Sequence, residues 1–234
     1  MSTFDETTRQ RAKEIIARYP VKRSALLPML HLVQSVQGHV SQDGIHFCAE
    51  QLDLTAAQVT AVVTFYTMFK EQPGGEHLVS VCTNTLCAAL GGEAIYERLC
   101  AKLGVQHEET AGTPGEPGSI TLEHAECLAA CDFAPVLQVN YEYYDNQTVE
   151  SAEALVDALR RGERPPPTRG AALTDWRTTS AELAGFFDDL EAEVEGPSAA
   201  PQTLRGTTIA DERGWTTEPM PDDPPLPEPA DQKK

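Results

Sequence analysis

Four cysteines in two short clusters are the residues of this chain best suited to chemistry. Cys82 and Cys87 form the first pair, and Cys127 and Cys131 form the second pair about forty residues later. Four thiolates can hold a [2Fe–2S] cluster or a zinc ion. Structural zinc sites usually contain tighter C-x2-C pairs, whereas iron–sulfur ligation tolerates the C-x4-C spacing of the first pair. The spacing therefore favours iron–sulfur binding and leaves zinc open.

Disulfides and redox-active thiols are the other interpretations of these cysteines. The chain begins MSTFDETTRQ, without an apolar signal segment, so we expect it to stay in a reducing cytosol, where structural disulfides are rare. A thiol oxidoreductase would normally contain an active C-x-x-C, which the sequence lacks. Inert buried thiols have no reason to occur in pairs at short intervals. These interpretations remain open but fit the pattern less well.

The composition limits the partners and divides the chain. A formal net charge of −18 over 234 residues disfavours nucleic acid and anionic membranes as partners. No apolar run reaches the length of a membrane-spanning helix. We predict an α+β protein with an N-terminal helical bundle over residues 1–72, a small α/β domain over 73–162 and a proline-rich acidic extension over 163–234.

The N-terminal region has the apolar periodicity of short helices. Residues 5–18 and 41–52 each fit one helix. Ser24 is a plausible N-cap for another helix, in which Pro28 would fall in the first turn and Gly38 would be the stop. A fourth helix is predicted to open with the capping box of residues 55–58.

Two further features of this region have structural interpretations. Cys48 falls on an apolar helix face, so we interpret it as a core residue. Residues 65–69 are five adjacent bulky residues at the end of the predicted bundle, and we expect them to seal its junction with the next domain.

The middle region alternates β-rich and helical segments in an order close to β-α-β-β-β-α. Cys82 and Cys127 each follow a predicted strand, so their loops would meet at one edge of the sheet if the two strands were neighbours. Cys100 lies well along a helix predicted from Cys87 to Leu103, and we expect it to be packing and not a ligand. His124 is expected at the surface. The predicted strands are residues 77–81, 120–125, 135–140 and 147–149, and the second helix is 152–161.

Several motifs are shared, in order and spacing, with a known family. They are Val81-Cys82-Thr83-Asn84 with Cys87, Glu126-Cys127-Leu128-Ala129-Ala130-Cys131 and Ala134-Pro135, together with segments 22–28 and 64–69. These motifs resemble the thioredoxin-like [2Fe–2S] ferredoxin subunits of NADH:quinone oxidoreductase, respiratory complex I, and above all the bacterial E subunits. The resemblance covers residues from about 10 to 162.

The resemblance implies a thioredoxin-like domain with one [2Fe–2S] cluster, ligated by Cys82, Cys87, Cys127 and Cys131. It implies an electron-transfer role beside a flavin- and NADH-binding subunit, with a further iron–sulfur subunit nearby, in a cytoplasmic assembly peripheral to the inner face of the cell membrane. The sequence has no dinucleotide-binding fingerprint of its own. Because NAD-linked hydrogenases and formate dehydrogenases contain the same module, the host complex stays open. The alternative from a different functional class is a zinc-stabilised interaction module.

Two details of the loops concern the backbone around the second cysteine pair. The family usually has glycine before the fourth cysteine, where this chain has Ala130, so we expect a loop that differs slightly or needs no positive φ there. The resemblance also suggests a cis peptide bond between Ala134 and Pro135.

The extension lies outside the resemblance. Residues 179–182 could be a capping box, and Leu183, Phe186, Phe187 and Leu190 follow at amphipathic spacing. Since disordered tails usually lack large aromatics, the presence of Trp176 and Trp215 leads us to expect that parts of residues 171–218 dock on a partner subunit. About the last fifteen residues, 220–234, are expected to be mobile unless bound.

Overall fold

A computed structural model describes residues 4–187 and 201–219 of the chain. Its first part is a bundle of four helices around an apolar core. Asp5, Ser41 and Thr55 cap three of these helices with their side chains, and Gly38 ends another with a left-handed φ of 79°. Cys48 is fully buried in this core, as predicted. The helices are α1 (Glu6–Ala17), α2 (Leu26–Gln37), α3 (Gln42–Leu52) and α4 (Ala56–Val63).

Two local expectations for the bundle are wrong. Ser24 does not cap α2, because it lies inside a 3-10 turn, Lys22–Ala25, that runs directly into the helix. Phe65 and Tyr66 follow α4 at the surface, 75% and 40% exposed, and of the residues after them only Phe69 is buried in the bundle core. The aromatic segment as a whole therefore does not seal a junction.

The second part is a mixed five-stranded sheet with the strand order β2-β3-β1-β4-β5. β1 and β3 are parallel neighbours, whereas the β1–β4, β2–β3 and β4–β5 pairs are antiparallel. The strands are β1 (His77–Cys82), β2 (Glu109–Ala111), β3 (Ile120–Ala125), β4 (Leu137–Val139) and β5 (Glu142–Tyr144). The apolar core of this part lies between the sheet and two helices, α6 (Gly92–Leu103) and α7 (Val149–Arg160).

Two predicted elements of this part differ from the structure, and one observed strand was not predicted. The helix expected from Cys87 to Leu103 is broken, because Gly91 adopts a φ of 110° between α5 (Thr85–Ala89) and α6. Residues 147–149 do not return as a strand. Thr148 forms a capping box with Ser151 and starts α7, so the returning strand is β5. The short edge strand β2 has no counterpart among the predicted strands.

The chain after α7 forms a strap that joins both parts. Arg169 forms an isolated antiparallel β-bridge with Tyr143 of β5. The backbone N–H of Trp176 donates to the Glu76 carbonyl (2.8 Å). Helix α8 (Trp176–Leu183), capped by Asp175, then packs along α2. The sequence led us to expect this segment on a partner subunit, but it packs on the chain's own bundle. Leu190 and residues 220–234, which also carry predictions, lie outside the described residues.

The last described element is α9 (Pro201–Glu212). Within residues 4–187 and 201–219, every helix is too short or too polar to cross a lipid bilayer.

Candidate metal centre

The parallel pairing of β1 and β3 brings the two cysteine clusters to one edge of the sheet. Cys82, the last residue of β1, is in register with Ala125, the last residue of β3. The loop after β3 carries Cys127 and Cys131, and the loop after β1 leads into α5, which carries Cys87. A backbone hydrogen bond from Thr83 N–H to the Ala125 carbonyl (3.1 Å) ties the two loops together. The strand-then-loop arrangement expected from the sequence is therefore present.

The four sulfurs lie together as two pairs. Cys127 Sγ and Cys131 Sγ are 3.5 Å apart, and the Cys87 thiol lies close enough to Cys82 for the two to interact. The Cys131 thiol is also close enough to Cys82 and Cys87 to interact with both electrostatically. Cys82 and Cys87 are buried, whereas Cys127 and Cys131 are exposed. The site thus has an inner pair facing the protein and an outer pair facing solvent.

The surroundings of Cys87 and Cys131 raise the pKa of both thiols and so disfavour their thiolate forms. The pKa of the Cys87 thiol is raised to about 11, mainly by burial. A hydrogen bond with the Val136 backbone lowers this pKa, and the neighbouring Cys82 raises it. The hydrogen bond with Cys127 raises the pKa of the Cys131 thiol. Because metals bind cysteine as the thiolate, a metal group loaded at this edge would displace protons from these two thiols.

The donor set fits a two-iron cluster better than one zinc ion. A zinc ion needs its ligands about 2.3 Å from a single point. No three His, Cys, Asp or Glu side chains in the described ranges, 4–187 and 201–219, are placed to hold one metal ion. A [2Fe–2S] cluster instead takes four thiolates, and four cysteines would be available at this edge to hold it.

Two residues that sequence reasoning missed shape this edge. Gly92, at the start of α6, lies against the backbone of Cys82 and Cys87, so that an added Cβ would meet the Cys87 carbonyl oxygen at 2.9 Å. Tyr143 on β5 donates its hydroxyl to the carbonyl of Leu128 in the outer cysteine loop (2.7 Å). The Gly91-Gly92 pair soon after Cys87 is a usable signal in the sequence, whereas nothing local distinguishes Tyr143.

The backbone conformation of Ala130 explains why this chain can have alanine where the family usually has glycine. Its φ is −124°, so glycine is not required there, and its methyl group is buried beside Cys82, Cys87 and Val136. The left-handed residue is its neighbour Ala129, with φ of 57°. The Ala134–Pro135 peptide bond is cis, as the resemblance suggested.

Two further candidates are separate from the cysteine edge. Cys100 lies on α6, partly buried against the core of the sheet part, where it interacts with Tyr96. His124 is exposed, and its ring stacks on His107 with the ring centroids 4.2 Å apart. Both placements agree with the roles expected from the sequence.

Comparisons with known proteins identify the family to which this chain is similar. The profile of the thioredoxin-like [2Fe–2S] ferredoxin family matches residues 12–160. The E subunit of the NADH-quinone oxidoreductase of Mycobacterium tuberculosis is 53% identical over 210 residues, which are 90% of this chain and 81% of the relative. The E subunit of the same name from Rickettsia bellii is 38% identical over 161 residues, 68% of this chain and 94% of the relative.

Among solved structures, a chain of the NAD+-reducing [NiFe]-hydrogenase in its H2-reduced state has a similar fold. The TM-score is 0.51 at 18% sequence identity, and the match covers 58% of this chain but only 22% of the hydrogenase chain. This likeness concerns the fold alone.

Proposed function

This chain belongs to the thioredoxin-like [2Fe–2S] ferredoxin family, and we propose that its two cysteine pairs hold the one [2Fe–2S] cluster of the protein. The observation that carries the proposal is the meeting of an inner and an outer thiol pair at one edge of the sheet. The four proposed ligands are Cys82, Cys87, Cys127 and Cys131.

The protein's own residues would fix the ligands on both sides. On the inner side, Ala130 and Val136 pack around Cys82 and Cys87 and exclude water from them. On the outer side, the Tyr143 hydroxyl restrains the loop that carries Cys127 and Cys131. A bound [2Fe–2S] cluster accepts and donates single electrons. Exposure of the outer pair leaves one side of the site open to a redox partner.

The chain is an electron-transfer subunit of an NADH:quinone oxidoreductase, as its relatives' names indicate. We infer that the redox partner is the flavin- and NADH-binding subunit of the same complex and that a further iron–sulfur subunit lies nearby. The complex would lie at the inner, cytoplasmic face of the cell membrane, with this chain peripheral to the bilayer. The division of residues 1–72, 73–162 and 163–234 into separate domains also remains a proposal.

Single Cys→Ser substitutions at the four positions test the ligand assignment. The protein is reconstituted anaerobically, and iron, acid-labile sulfide and zinc are measured together with visible absorbance and the EPR signal after reduction. We expect iron and sulfide in equal amounts in the wild type, and loss or alteration of the EPR signal in all four variants. Cys100→Ser is the matched control and should keep the wild-type signal. A colourless protein with stoichiometric zinc would refute the cluster assignment.

Co-purification tests the partner. An affinity tag on this chain, at its natural expression level, should recover a flavin-containing subunit whose flavin is reduced by NADH. Recovery of a nickel-containing hydrogenase or a formate dehydrogenase subunit would instead assign the chain to one of the alternative host complexes.

A further inference from the structure

An arginine of the strap lies against the residues that support the outer cysteine loop. The Arg169 guanidinium lies over two aromatic rings, 4.4 Å from the centroid of the Tyr143 ring and 5.2 Å from that of the Phe133 ring. Phe133 ends the 3-10 turn that begins at Cys131. The Tyr143 hydroxyl donates to the Leu128 carbonyl, between the two outer cysteines. Both rings therefore connect Arg169 to the loop that carries the outer pair.

The same two rings also contact the inner side of the site. Phe133 and Tyr143 pack, partly buried, on the small apolar core that contains Cys82 and Cys87. The face of an aromatic ring attracts a cation, and more strongly where the cation is withdrawn from water. Arg169 therefore restrains two rings on which both the outer loop and the inner pair depend for support.

The guanidinium is largely withdrawn from solvent. The side chain of Arg169 is 20% exposed and that of its ion-pair partner Asp145 is 8% exposed, with 2.9 Å between Arg169 Nη2 and Asp145 Oδ1. The Nε of Arg169 is buried and has no hydrogen-bond partner among the described residues. Because a buried donor without a partner costs free energy, anchoring of the strap alone would not favour an arginine at this position.

Other contacts already hold this part of the strap on β5. The backbones of Arg169 and Tyr143 form the antiparallel bridge described above. Thr168 donates its N–H to the Tyr143 carbonyl (2.8 Å), and its hydroxyl donates to Asp145 Oδ2 (2.9 Å). These contacts do not involve the guanidinium, so its place over the two rings calls for a second explanation.

We propose that Arg169 is a positioning residue for the [2Fe–2S] cluster, supplied by the strap. Through the rings of Phe133 and Tyr143 it holds the outer cysteine loop in place, and its positive charge favours the reduced cluster. Reduction adds one negative charge to a chain of net charge −18, and a nearby cation offsets part of that cost. The family profile ends at residue 160, so the strap adds this residue to the cluster domain. The inference rests on the proposed function, since it requires the cluster.

Redox titration of the reconstituted full-length chain, followed by EPR, tests the charge. Arg169→Gln removes a positive charge and should shift the midpoint potential to a more negative value, whereas Asp145→Asn removes the neighbouring negative charge and should shift it to a more positive value. The equilibrium constants for reduction should differ at least about threefold between the two variants, or about 30 mV at 59 mV per tenfold. Because both variants break the same ion pair, mere loosening of the strap would shift both potentials in one direction. Shifts in one direction, or equal potentials, overturn the proposal.

Loss of iron to a chelator tests the positioning. Arg169→Gln should lose its visible absorbance several-fold faster than the wild type. Arg169→Lys keeps the charge but lacks the planar guanidinium that stacks on a ring, so it should also bleach faster while its potential stays near that of the wild type. Arg177→Gln is the matched control, because it removes a strap cation that donates to the Val36 carbonyl of the bundle (3.0 Å). It should keep the wild-type rate, and equal rates in Arg169→Gln and Arg177→Gln overturn the proposal.

Hydrogen exchange in the cluster-free chain separates this proposal from the proposed function. The amides of residues 126–134 should exchange faster in Arg169→Gln than in the wild type or in Arg177→Gln. A wild-type chain that binds no cluster refutes the proposed function, and the exchange result still decides whether Arg169 holds the loop. A cluster-loaded wild type whose potential and chelator sensitivity are unchanged by Arg169→Gln overturns the role of Arg169 alone.

Discussion

Gly92 lies directly against the carbonyl oxygen of Cys82, so that the first residue of α6 contacts the backbone of a proposed cluster ligand. A Cβ at position 92 would also lie 2.9 Å from the Cys87 carbonyl oxygen and 3.0 Å from its carbon. These neighbours are backbone atoms, which cannot move aside as a flexible side chain could. The close approach of α6 therefore fixes the separation of the two inner cysteines.

Gly92→Ala should destabilise the protein by about 1–3 kcal/mol, because the methyl group overpacks this contact. The displaced backbone should also change the EPR line shape and speed the loss of the cluster. Urea unfolding and the EPR spectrum measure the two effects. Gly206→Ala is the matched control, since Gly206 is a helical glycine with nothing within 4 Å of an added Cβ. Equal behaviour of the two variants would contradict the role given to Gly92.

Tyr143→Phe should loosen the outer cysteine loop. The substitution removes the hydroxyl that donates to the Leu128 carbonyl at a cost of about 1 kcal/mol. We expect a several-fold faster bleaching of the visible absorbance when the reconstituted protein is exposed to an iron chelator. Tyr19→Phe, at a surface position, should bleach at the wild-type rate. The idea fails if chelator sensitivity is the same in both variants.

The position of each cysteine pair after a strand was predictable because its determinants are local in sequence. The capping box at Thr55 and the stop at Gly38 were predictable for the same reason. These signals need no knowledge of the rest of the fold. The parallel pairing of β1 with β3, which brings both pairs to one edge, is a long-range contact that the structure supplies.

The features that were missed depend on tertiary contacts or on competing local signals. Gly91 and Gly92 lie within a helical pattern that tolerates glycine. Only the structure shows that Gly91 adopts a φ of 110° and that Gly92 lies against the backbone of Cys82. Residues 147–149 are compatible with a strand, but the Thr148 capping box decides for a helix. The intramolecular docking of α8 depends on Trp176 reaching Gly38, 138 positions earlier in the chain.

Trp176→Phe should release the strap. The indole N–H is the buried donor to the Gly38 carbonyl, and leaving that acceptor unpaired costs about 1–3 kcal/mol. We expect a lower urea midpoint and faster hydrogen exchange in residues 171–187. Trp215→Phe, at an exposed position, is the matched control and should change the stability of the isolated chain by less than about 0.5 kcal/mol. Unchanged exchange in the strap of the Trp176 variant would refute the role of Trp176 in holding it.

His31 should make the bundle sensitive to acid. Burial lowers the pKa of its imidazole from 6.5 to about 4, its ring packs against Phe69, and its Nδ1 has no hydrogen-bond partner among the described residues. Above pH 6.5 the ring is neutral in both the folded and the unfolded chain. As the pH falls from 6.5 towards 4, the unfolded chain binds a proton that the folded chain does not, so stability is lost over this window.

The full loss would be about 3 kcal/mol, at 1.36 kcal/mol per unit of pKa shift. His31→Leu removes the titrating group and keeps an apolar side chain at the position. The difference in free energy of unfolding between the wild type and the variant should therefore move in favour of the variant as the pH falls from 6.5 to 4, and be constant above pH 7. Comparison at each pH cancels the contributions of other groups, including acid loss of the cluster. An NMR titration that places the His31 pKa near 6.5, or a pH-independent difference, would contradict this account.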